Sequence, residues 1–352
     1  MVLTRDGTVP SLSAAARKPP ASNTARKIFN RSGETLFFIE NSLFLAKPII
    51  NAHENSQIGA NTEIIMLVIT GASGQLGRKI AQNLLALVPA NRIAASVRDP
   101  EQVADLAAAG IRVRQGNYDD ADSLRHAWQG AKRLLLVSSN AAASGGDPLA
   151  QHATAIAVAR ELSVKRVFYT SQIASSSTSH FPPALTHAAT EAMLARSGLP
   201  WTALRHGFYA DSALAMNARG FASGMLAAPV DGKVSWTTHD DLAAADAALL
   251  AGAETIDGPT PPLTGAEALD FSDLAQCAEK ILGRPITREI LDDDIMLANA
   301  TAAGASPERI AIMMGYYRAA RSGEFAAIDP LLEKLIGRPP QSMSAFMADR
   351  LR

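Results

Sequence analysis

The sequence predicts an α/β fold in which helices cover both faces of a parallel sheet, followed by a smaller, mainly helical C-terminal lobe. From residue 66 to about 204, short apolar strand patterns alternate with helical patterns six times. The first strand also runs directly into a glycine-rich loop. Strands that alternate with helices form a parallel sheet covered by those helices. Beyond about residue 211 the alternation stops and helical patterns dominate.

The first strand and its loop carry the most information. Leu67 to Ile69 is apolar without alternation, which is typical of a strand buried on both faces. In the loop, the first glycine permits a tight turn, the second lets the backbone approach a pyrophosphate, and the third lets the next helix pack closely on the strand. Free N–H groups at the start of that helix bind phosphate. Against the alternative of a plain strand–turn–helix, we predict a dinucleotide-binding loop formed by Gly71, Ala72, Ser73, Gly74, Gln75, Leu76 and Gly77.

The alternation continues regularly after this loop. Further strands are predicted at residues 92–97, 111–115, 133–138, 165–170 and 201–204. Helices are predicted at residues 75–88, 100–109, 119–129, 149–163 and 185–197. Six such units indicate a Rossmann doubly wound sheet, with a cofactor bound across the switch point between the first and fourth strands.

The chain divides into three predicted parts. Residues 66–210 form the nucleotide-binding domain, to which a helix at 238–252, within the segment 230–255, returns. The rest of residues 211–352 forms a smaller substrate or lid lobe, with helices predicted at 271–282, 292–303, 306–322 and 329–336.

Residues 1–65 are rich in Ser, Ala, Asn and Pro and have no sustained periodicity, so we predict a disordered extension or a misassigned start. A targeting peptide is the alternative, because residues 1–33 carry six Lys or Arg and one Asp.

Composition excludes several classes of protein. The net charge of −1 with mixed signs gives no nucleic-acid footprint. The chain contains no run of 18 apolar residues that would span a membrane and no metal-ligand spacing. The single cysteine, Cys277, excludes an intramolecular disulfide and fits a reducing compartment, so a cytoplasmic location is expected.

Cofactor selectivity is indicated at the end of the second strand. A carboxylate there usually accepts hydrogen bonds from the ribose 2′-hydroxyl of NAD, whereas an arginine accommodates the 2′-phosphate of NADP. Arg98 stands at this position and favours NADPH. NADH stays an alternative, because Asp99 follows immediately and could bind the 2′-hydroxyl.

Longer segments resemble a known family, the NmrA-like branch of the atypical short-chain dehydrogenases, and within it the NADPH-dependent quinone oxidoreductases. The resemblance runs from about Met66 to near the C-terminus and rests on ITGASGQLG, RLLLVSS, KRVFYTS, THAATEAMLARSGLPWTALRHGFYADS and KLIGRPPQS. It implies that the glycine loop and Arg98 bind the cofactor's phosphates and ribose, and that Asn117 meets the adenine, although many members have Asp there. It further implies that the cofactor lies along Ser138, Ser139, Thr170 and Ser171.

The catalytic pattern departs from that of ordinary short-chain dehydrogenases, whose Tyr-x-x-x-Lys pair is replaced here by His187-Ala-Ala-Thr-Glu191. Ketone reduction yields an alkoxide that needs an acid, but quinone reduction yields a phenolate-like anion whose conjugate acid has a pKa of about 10, as for tyrosine. Direct hydride transfer is therefore plausible, with His187 or Tyr209 as proton donor. Alternatively, His187 and Glu191 form a simple side-chain pair on one helix face.

The turn after the sixth strand, RHGFYADS, is expected to border the substrate. Phe208 and Tyr209 could stack on a planar ring, or they could form a core pair that anchors the turn. Two functions follow from the resemblance: an NAD(P)H-dependent oxidoreductase acting on a small quinone-like molecule, or a sensor that binds NADP without turnover. A homodimer is the assembly we consider for either.

Overall fold

The computed structural model describes residues 26–29, 35–39, 42–44 and 65–351. In the first part, three strands pair antiparallel: β1 (Arg26–Phe29), β2 (Thr35–Ile39) and β3 (Ser42–Phe44). The sequence predicts no regular structure here, so these strands differ from that expectation. Their physical basis is the aromatic and apolar content of β2, TLFFI, which favours extended backbone. The prediction for the other residues before Ile65 lies outside the described residues.

The remaining strands are β4 (Met66–Thr70), β5 (Ile93–Val97), β6 (Arg112–Gln115), β7 (Ala131–Leu136), β8 (Arg166–Gln172), β9 (Trp201–His206), β10 (Phe208–Tyr209), β11 (Met225–Pro229), β12 (Trp236–Thr237), β13 (Gly258–Pro259) and β14 (Thr287–Leu291). Seven of them form one parallel sheet in the order β13-β9-β8-β7-β4-β5-β6. The predicted doubly wound sheet is confirmed. Its first strand, β4, lies between β5 and β7, which places the switch point as predicted.

The helices are α1 (Gln75–Leu85), α2 (Ala104–Ala108), α3 (Ala121–Ala127), α4 (Pro148–Glu161), α5 (Pro182–Arg196), α6 (Ala210–Ser223), α7 (His239–Ala251), α8 (Phe271–Leu282), α9 (Asp293–Ala302), α10 (Pro307–Arg321), α11 (Leu331–Ile336) and α12 (Met343–Leu351). The sequence predicts one helix at 100–109, but a 3₁₀ turn at Pro100–Val103 precedes α2. Helices α6 and α12 and strands β10 to β14 are not predicted. No helix of the described ranges is long and apolar enough to cross a membrane.

Both faces of the large sheet carry a core. On one face Ile69 packs with Ile80 of α1 and with Leu242 and Leu249 of α7. The core of the other face joins strands β4, β7 and β8 to Trp128 and to the helices α4 and α5, and its strand residues include Val68, Leu134 and Val167. These two clusters hold the strands of the sheet in place. They therefore also set the position of the edge at which all its parallel strands end.

Helix α11 differs from its predicted place. The sequence assigns it to the second lobe, but Leu331 packs in the same core as α1 and α7. The reason is that Leu331 and Leu332 form a buried apolar turn that covers α7. Helix α11 therefore belongs to the nucleotide-binding domain, although it follows most of the second lobe in sequence.

The second lobe has a core of its own, rich in aromatic rings. Phe271 of α8, Tyr316 of α10 and Phe346 of α12 are buried together with Phe325. Strand β11 pairs in parallel with β14 at the edge of this lobe. The lobe is thus a compact helical unit, as expected from the helical patterns beyond residue 211.

Candidate functional site

The loop between β4 and α1 has the geometry that its glycines predict. Gly71 has a φ of +62°, a left-handed conformation that favours glycine, and its N–H donates to the Ser96 carbonyl. Helix α1 begins after Gly74 without a side-chain cap and without an acidic residue in its first turn. Ser73, Gly74 and Gln75 are exposed. Uncapped N–H groups at an exposed helix start form an anion site.

The other residues of the loop serve packing. Ala72 and Leu76 are buried in the core under the sheet. A Cβ at Gly77 would lie 2.5 Å from the Gly71 carbonyl oxygen, so the absence of a side chain lets α1 close against the loop. The third glycine therefore packs the helix onto the turn, whereas the sequence predicts contact with the strand.

Arg98, just after the end of β5, is a cation without a partner among the described residues. Asp99 caps the following 3₁₀ turn: its carboxylate accepts hydrogen bonds from the Glu101 N–H at 3.1 Å and from the Gln102 amide at 3.0 Å. The guanidinium of Arg98 is exposed and has no hydrogen bond or ion pair with any described residue. The side chains at this position fit a 2′-phosphate better than a 2′-hydroxyl, because the guanidinium of Arg98 can donate to a phosphate while the Asp99 carboxylate already accepts two hydrogen bonds.

Three further predicted residues follow the ends of β6 and β7. Asn117 is half-buried, and its side-chain oxygen accepts the Asp119 N–H at 3.2 Å. Ser138 donates its N–H to the Thr170 hydroxyl oxygen at 2.8 Å. Ser139 donates its N–H to Nε2 of His152 at 2.9 Å. The segment after β7 is therefore held to β8 and α4 beside the glycine loop.

His152 is a positioning residue that the sequence does not predict. Its ring is fully buried, and Nδ1 lies 2.8 Å from the Thr190 hydroxyl, which donates to the Thr186 carbonyl at 2.9 Å. With Nε2 accepting from Ser139, Nδ1 must carry the single proton of a neutral imidazole. Burial lowers the pKa of His152 to about 4, in agreement with this neutral form.

This neutral histidine predicts a loss of stability in acid. An unfolded histidine binds a proton near pH 6.5, whereas His152 resists protonation until about pH 4. The unfolded state therefore binds more protons between these values, and His152 alone should lower the free energy of unfolding by about 1.4 kcal/mol per pH unit as pH decreases. Urea denaturation at pH 7, 6, 5 and 4 measures this slope.

The matched variants are His152→Asn, which should make the slope shallower by about one proton, and His126→Asn on the exposed face of α3, which should not change it. An unchanged slope in His152→Asn would contradict the assignment of a neutral His152.

A cavity of about 210 Å³ opens at the carboxyl ends of β7, β8 and β9. Parallel strands end at one edge, so this cavity lies on the same side of the sheet as the glycine loop. The structure brings the predicted residues Ser138, Ser171, His187, Phe208 and Tyr209 together on its walls. The full lining is Ser138, Ser171, Gln172, Phe181, His187, His206, Gly207, Phe208 and Tyr209.

His187 is not paired with Glu191, so the alternative of a simple helix-face pair is wrong. Nδ1 of His187 lies 2.8 Å from the Tyr169 hydroxyl. Glu191 instead accepts from the Ser171 hydroxyl at 2.6 Å and pairs with Arg205 through two nitrogens at 3.1 and 2.7 Å. The reason is that the sheet supplies a partner to each residue. Tyr169 of β8 contacts His187, whereas Ser171 of β8 and Arg205 of β9 contact Glu191.

Burial lowers the pKa of His187 to about 3, with His152 and His206 adding to the effect. The ring is therefore neutral at pH 7. A neutral imidazole still offers one N–H donor and one acceptor nitrogen, so His187 can hydrogen-bond a carbonyl oxygen in the cavity.

The two aromatic residues of β10 have different surroundings. Phe208 packs edge-on against Phe325 at 5.0 Å and Tyr316 at 5.4 Å, so it joins the second-lobe core while lining the cavity. Tyr209 lies 4.3 Å from the His239 ring, measured between centroids. Burial raises the pKa of Tyr209, which makes its hydroxyl a weaker acid.

A buried pair that the sequence does not predict completes the site. His206, the last residue of β9, is 1% exposed and Asp246 of α7 is 0% exposed. Nε2 of His206 lies 3.0 Å from Oδ1 of Asp246. In the sequence, the one indication of this pair is that Asp246 is a charged residue inside the apolar run LAAADAALL.

Comparisons with known proteins agree with this geometry. A family model described as NAD(P)H-binding matches residues 71–251. Quinone oxidoreductase 2 of Escherichia coli (strain K12) is 36% identical over 282 residues, 79% of this chain and 96% of that protein. The crystal structure of an NADPH-dependent quinone oxidoreductase from Escherichia coli, complexed with NADPH, superimposes with a TM-score of 0.74 at 35% identity over 81% of this chain and 99% of that one.

Two more relatives are similar over the same region. An NmrA-like family domain-containing oxidoreductase of Aspergillus flavus is 29% identical over 78% of this chain and 91% of that protein. The structure of Citrobacter sp. triphenylmethane reductase complexed with NADP(H) has a TM-score of 0.71 at 30% identity, over 81% of this chain and 100% of that one.

Proposed function

Because the chain belongs to the NAD(P)H-binding family, in the NmrA-like branch of atypical short-chain dehydrogenases, we propose that it is an NADPH-dependent oxidoreductase that reduces a quinone or a similarly planar, electron-poor acceptor. The observation that carries the proposal is the cavity beside the cofactor loop, lined by Phe208, Tyr209 and His187. A protein that only senses NADP has no need for an apolar cavity at this edge, so we favour an enzyme over a sensor.

The residues present fit the cofactor. The uncapped start of α1 and the glycine loop supply N–H donors for the pyrophosphate. Arg98 supplies a free guanidinium for the 2′-phosphate, while the Asp99 carboxylate is held by its cap. When bound, NADPH supplies the hydride.

The cavity walls are suited to orienting a planar acceptor. Phe208 and Tyr209 offer ring faces and edges for stacking. We assign to Tyr169 the donor role in its bond to Nδ1 of His187, which leaves Nε2–H of that neutral ring for an acceptor oxygen. Catalysis then depends mainly on proximity and orientation, since the quinone's reduced form is a stable anion.

The reaction is tested by following the near-ultraviolet absorbance of NADPH with the full chain and a panel of quinones. Quinone-dependent loss of NADPH is the expected result. Measurable NADP binding without turnover on any acceptor would overturn the enzyme and support the sensor.

Selectivity is tested by Arg98→Ala. Loss of hydrogen bonds between a guanidinium and a phosphate should weaken NADPH binding by about 10- to 100-fold. NADH, which has no 2′-phosphate, should bind as before. Calorimetric titration with both cofactors measures the difference, and Arg160→Ala, an exposed arginine of α4, is the control. Equal weakening for NADH would contradict the assigned contact.

We further propose a homodimer and a cytoplasmic location. The dimer is supported by large apolar side chains that are exposed in the paired strands of the second lobe, Met225 of β11 and Ile290 of β14. The location is supported by the single cysteine of the chain. Light scattering after size-exclusion chromatography should give twice the mass of one chain, and one chain mass would overturn the dimer.

A further inference from the structure

The connection between β8 and α5, residues 173–181, ends in a side chain that forms part of the cavity wall. Phe181 lines the cavity and is buried. Its ring centroid lies 5.6 Å from that of Phe208, which also lines the cavity. On another side it lies 5.5 Å from the ring centroid of Phe325, which belongs to the core of the second lobe. The second lobe therefore supports this part of the wall.

The backbone just before Phe181 is bound to one carboxylate of the second lobe. Glu324 accepts hydrogen bonds from the His180 N–H at 3.0 Å and from the Ser179 hydroxyl. Nδ1 of His180 lies 2.6 Å from the same carboxylate. The Ser179 hydroxyl oxygen in turn accepts the Phe181 N–H at 3.1 Å. Glu324 thus holds the backbone that carries the Phe181 ring.

Glu324 makes these contacts as a charged group. Its side chain is 18% exposed. Burial raises the pKa of Glu324, but the hydrogen bonds from Ser179 and His180 together outweigh burial and lower the pKa below its ordinary value. Hydrogen bonds to an ionised acceptor are about twice as strong as those between neutral groups. Loss of this carboxylate should therefore loosen the connection.

Helix α10 also touches the connection directly. A Cβ at Gly315 would lie 2.6 Å from Cδ of Pro182 and 2.8 Å from the His180 carbonyl oxygen. The backbone of α10 can approach this closely only because position 315 has no side chain. The second lobe thus sets the position of the connection by packing as well as by hydrogen bonds.

The cavity bounded by this wall is small. Its volume of about 210 Å³ lies below the range of about 300 to 1,000 Å³ that is usual for ligand pockets. A quinone of one ring needs less space than a quinone of three fused rings. The fused-ring acceptor therefore depends on displacement of a wall residue, whereas the smaller one does not.

We propose that Glu324 is a positioning residue that holds Phe181 in the cavity wall and thereby favours single-ring over fused-ring quinones. This inference rests on the proposed quinone reduction and specifies its substrate class. A fused-ring acceptor has to displace Phe181, which the contacts of Glu324, Phe325 and α10 oppose. A looser connection should therefore admit large acceptors more readily and hold small ones less well.

The test measures kcat/KM of the full chain for a dimethylbenzoquinone, which has one ring, and for phenanthrenequinone, which has three. Glu324→Ala should lower kcat/KM about 5-fold for the first acceptor and raise it about 5-fold for the second, because small changes of pocket size alter this ratio by about 10-fold or more. Each variant is compared with the wild-type chain on the same acceptor, so the different redox potentials of the two quinones cancel.

Two further variants separate the carboxylate from the wall. Phe181→Leu shortens the wall and leaves Glu324 in place, and it should shift the two kcat/KM values in the same directions. Glu324→Gln keeps one acceptor oxygen, so it should give a smaller shift, and it replaces Glu324→Ala if that variant does not fold. Circular dichroism verifies the fold of each chain.

The matched control is Glu254→Ala. Glu254 pairs with Lys334 at 3.1 Å and does not line the cavity, so its loss should leave both kcat/KM values unchanged. Equal losses with both acceptors in the Glu324 variants would indicate a merely structural role and overturn the proposal. A shift in Phe181→Leu without one in the Glu324 variants would overturn it as well. Failure of the wild-type chain to reduce any quinone would instead refute the proposed function.

Discussion

Gly77→Ala is expected to lower the free energy of unfolding by about 3 kcal/mol and to weaken NADPH binding at least about 10-fold. The new Cβ would lie 2.5 Å from the Gly71 carbonyl oxygen and 2.8 Å from its carbon. Both atoms belong to the backbone and cannot rotate away, so the loop or α1 must shift. That shift moves the N–H groups that bind phosphate. Urea denaturation and calorimetric titration measure the two effects.

The matched control lies in the same loop. A Cβ at Gly74 would be 3.3 Å from the same Gly71 oxygen, and its φ of −82° suits any residue. Gly74→Ala should therefore change the free energy of unfolding by less than about 1 kcal/mol. If Gly77→Ala proved as mild as Gly74→Ala, the close contact would not be what fixes the loop.

Glu191→Gln is expected to lower the free energy of unfolding by about 2 to 3 kcal/mol. The Glu191 side chain is 9% exposed and that of Arg205 is 29% exposed, so the pair is largely shielded from solvent. Breaking a buried pair costs about 3 to 5 kcal/mol, and the partial exposure of Arg205 reduces this. The neutral amide also weakens the acceptor for the Ser171 hydroxyl beside the cavity.

The chain offers the same ion-pair geometry on its surface. Arg125 binds Glu161 through two nitrogens at 2.7 and 3.2 Å, with both side chains over 40% exposed. Glu161→Gln should therefore lower the free energy of unfolding far less than Glu191→Gln does. Equal losses in the two variants, measured by urea denaturation, would show that burial adds nothing to the Glu191 pair.

Local patterns predicted most of the fold. Strands β4 and β5 and the end of β7 are mainly apolar, and the glycine spacing marks the loop, so both could be predicted from neighbouring residues. Strand β13 was missed because it has only two residues and no pattern of its own. In the structure it pairs with β9, with Gly258 beside Thr202. Helix α6 is missed because small and polar residues in DSALAMNARG blur its periodicity.

The family resemblance predicted Ser138, Ser171 and Phe208 as site residues, and all three line the cavity. The pairing of His206 with Asp246 could not be predicted from the sequence. The two residues are 40 positions apart and meet only when α7 packs beneath β9. The partners of His187 and Glu191 were missed for the same reason, since they come from neighbouring strands rather than from one helix face.

Leu331 is synthesised late, so its burial against α7 can occur only near the end of translation. By the time His206 has left the ribosome, six strands of the large sheet exist, but α7, β13 and α11 do not. Roughly 125 residues remain before Leu331 emerges, about 10 s at ordinary elongation rates. Through that interval apolar residues are exposed, first on the sheet face that α7 later covers and then on α7 itself, so chaperone binding during translation should concentrate on chains stalled between these two points.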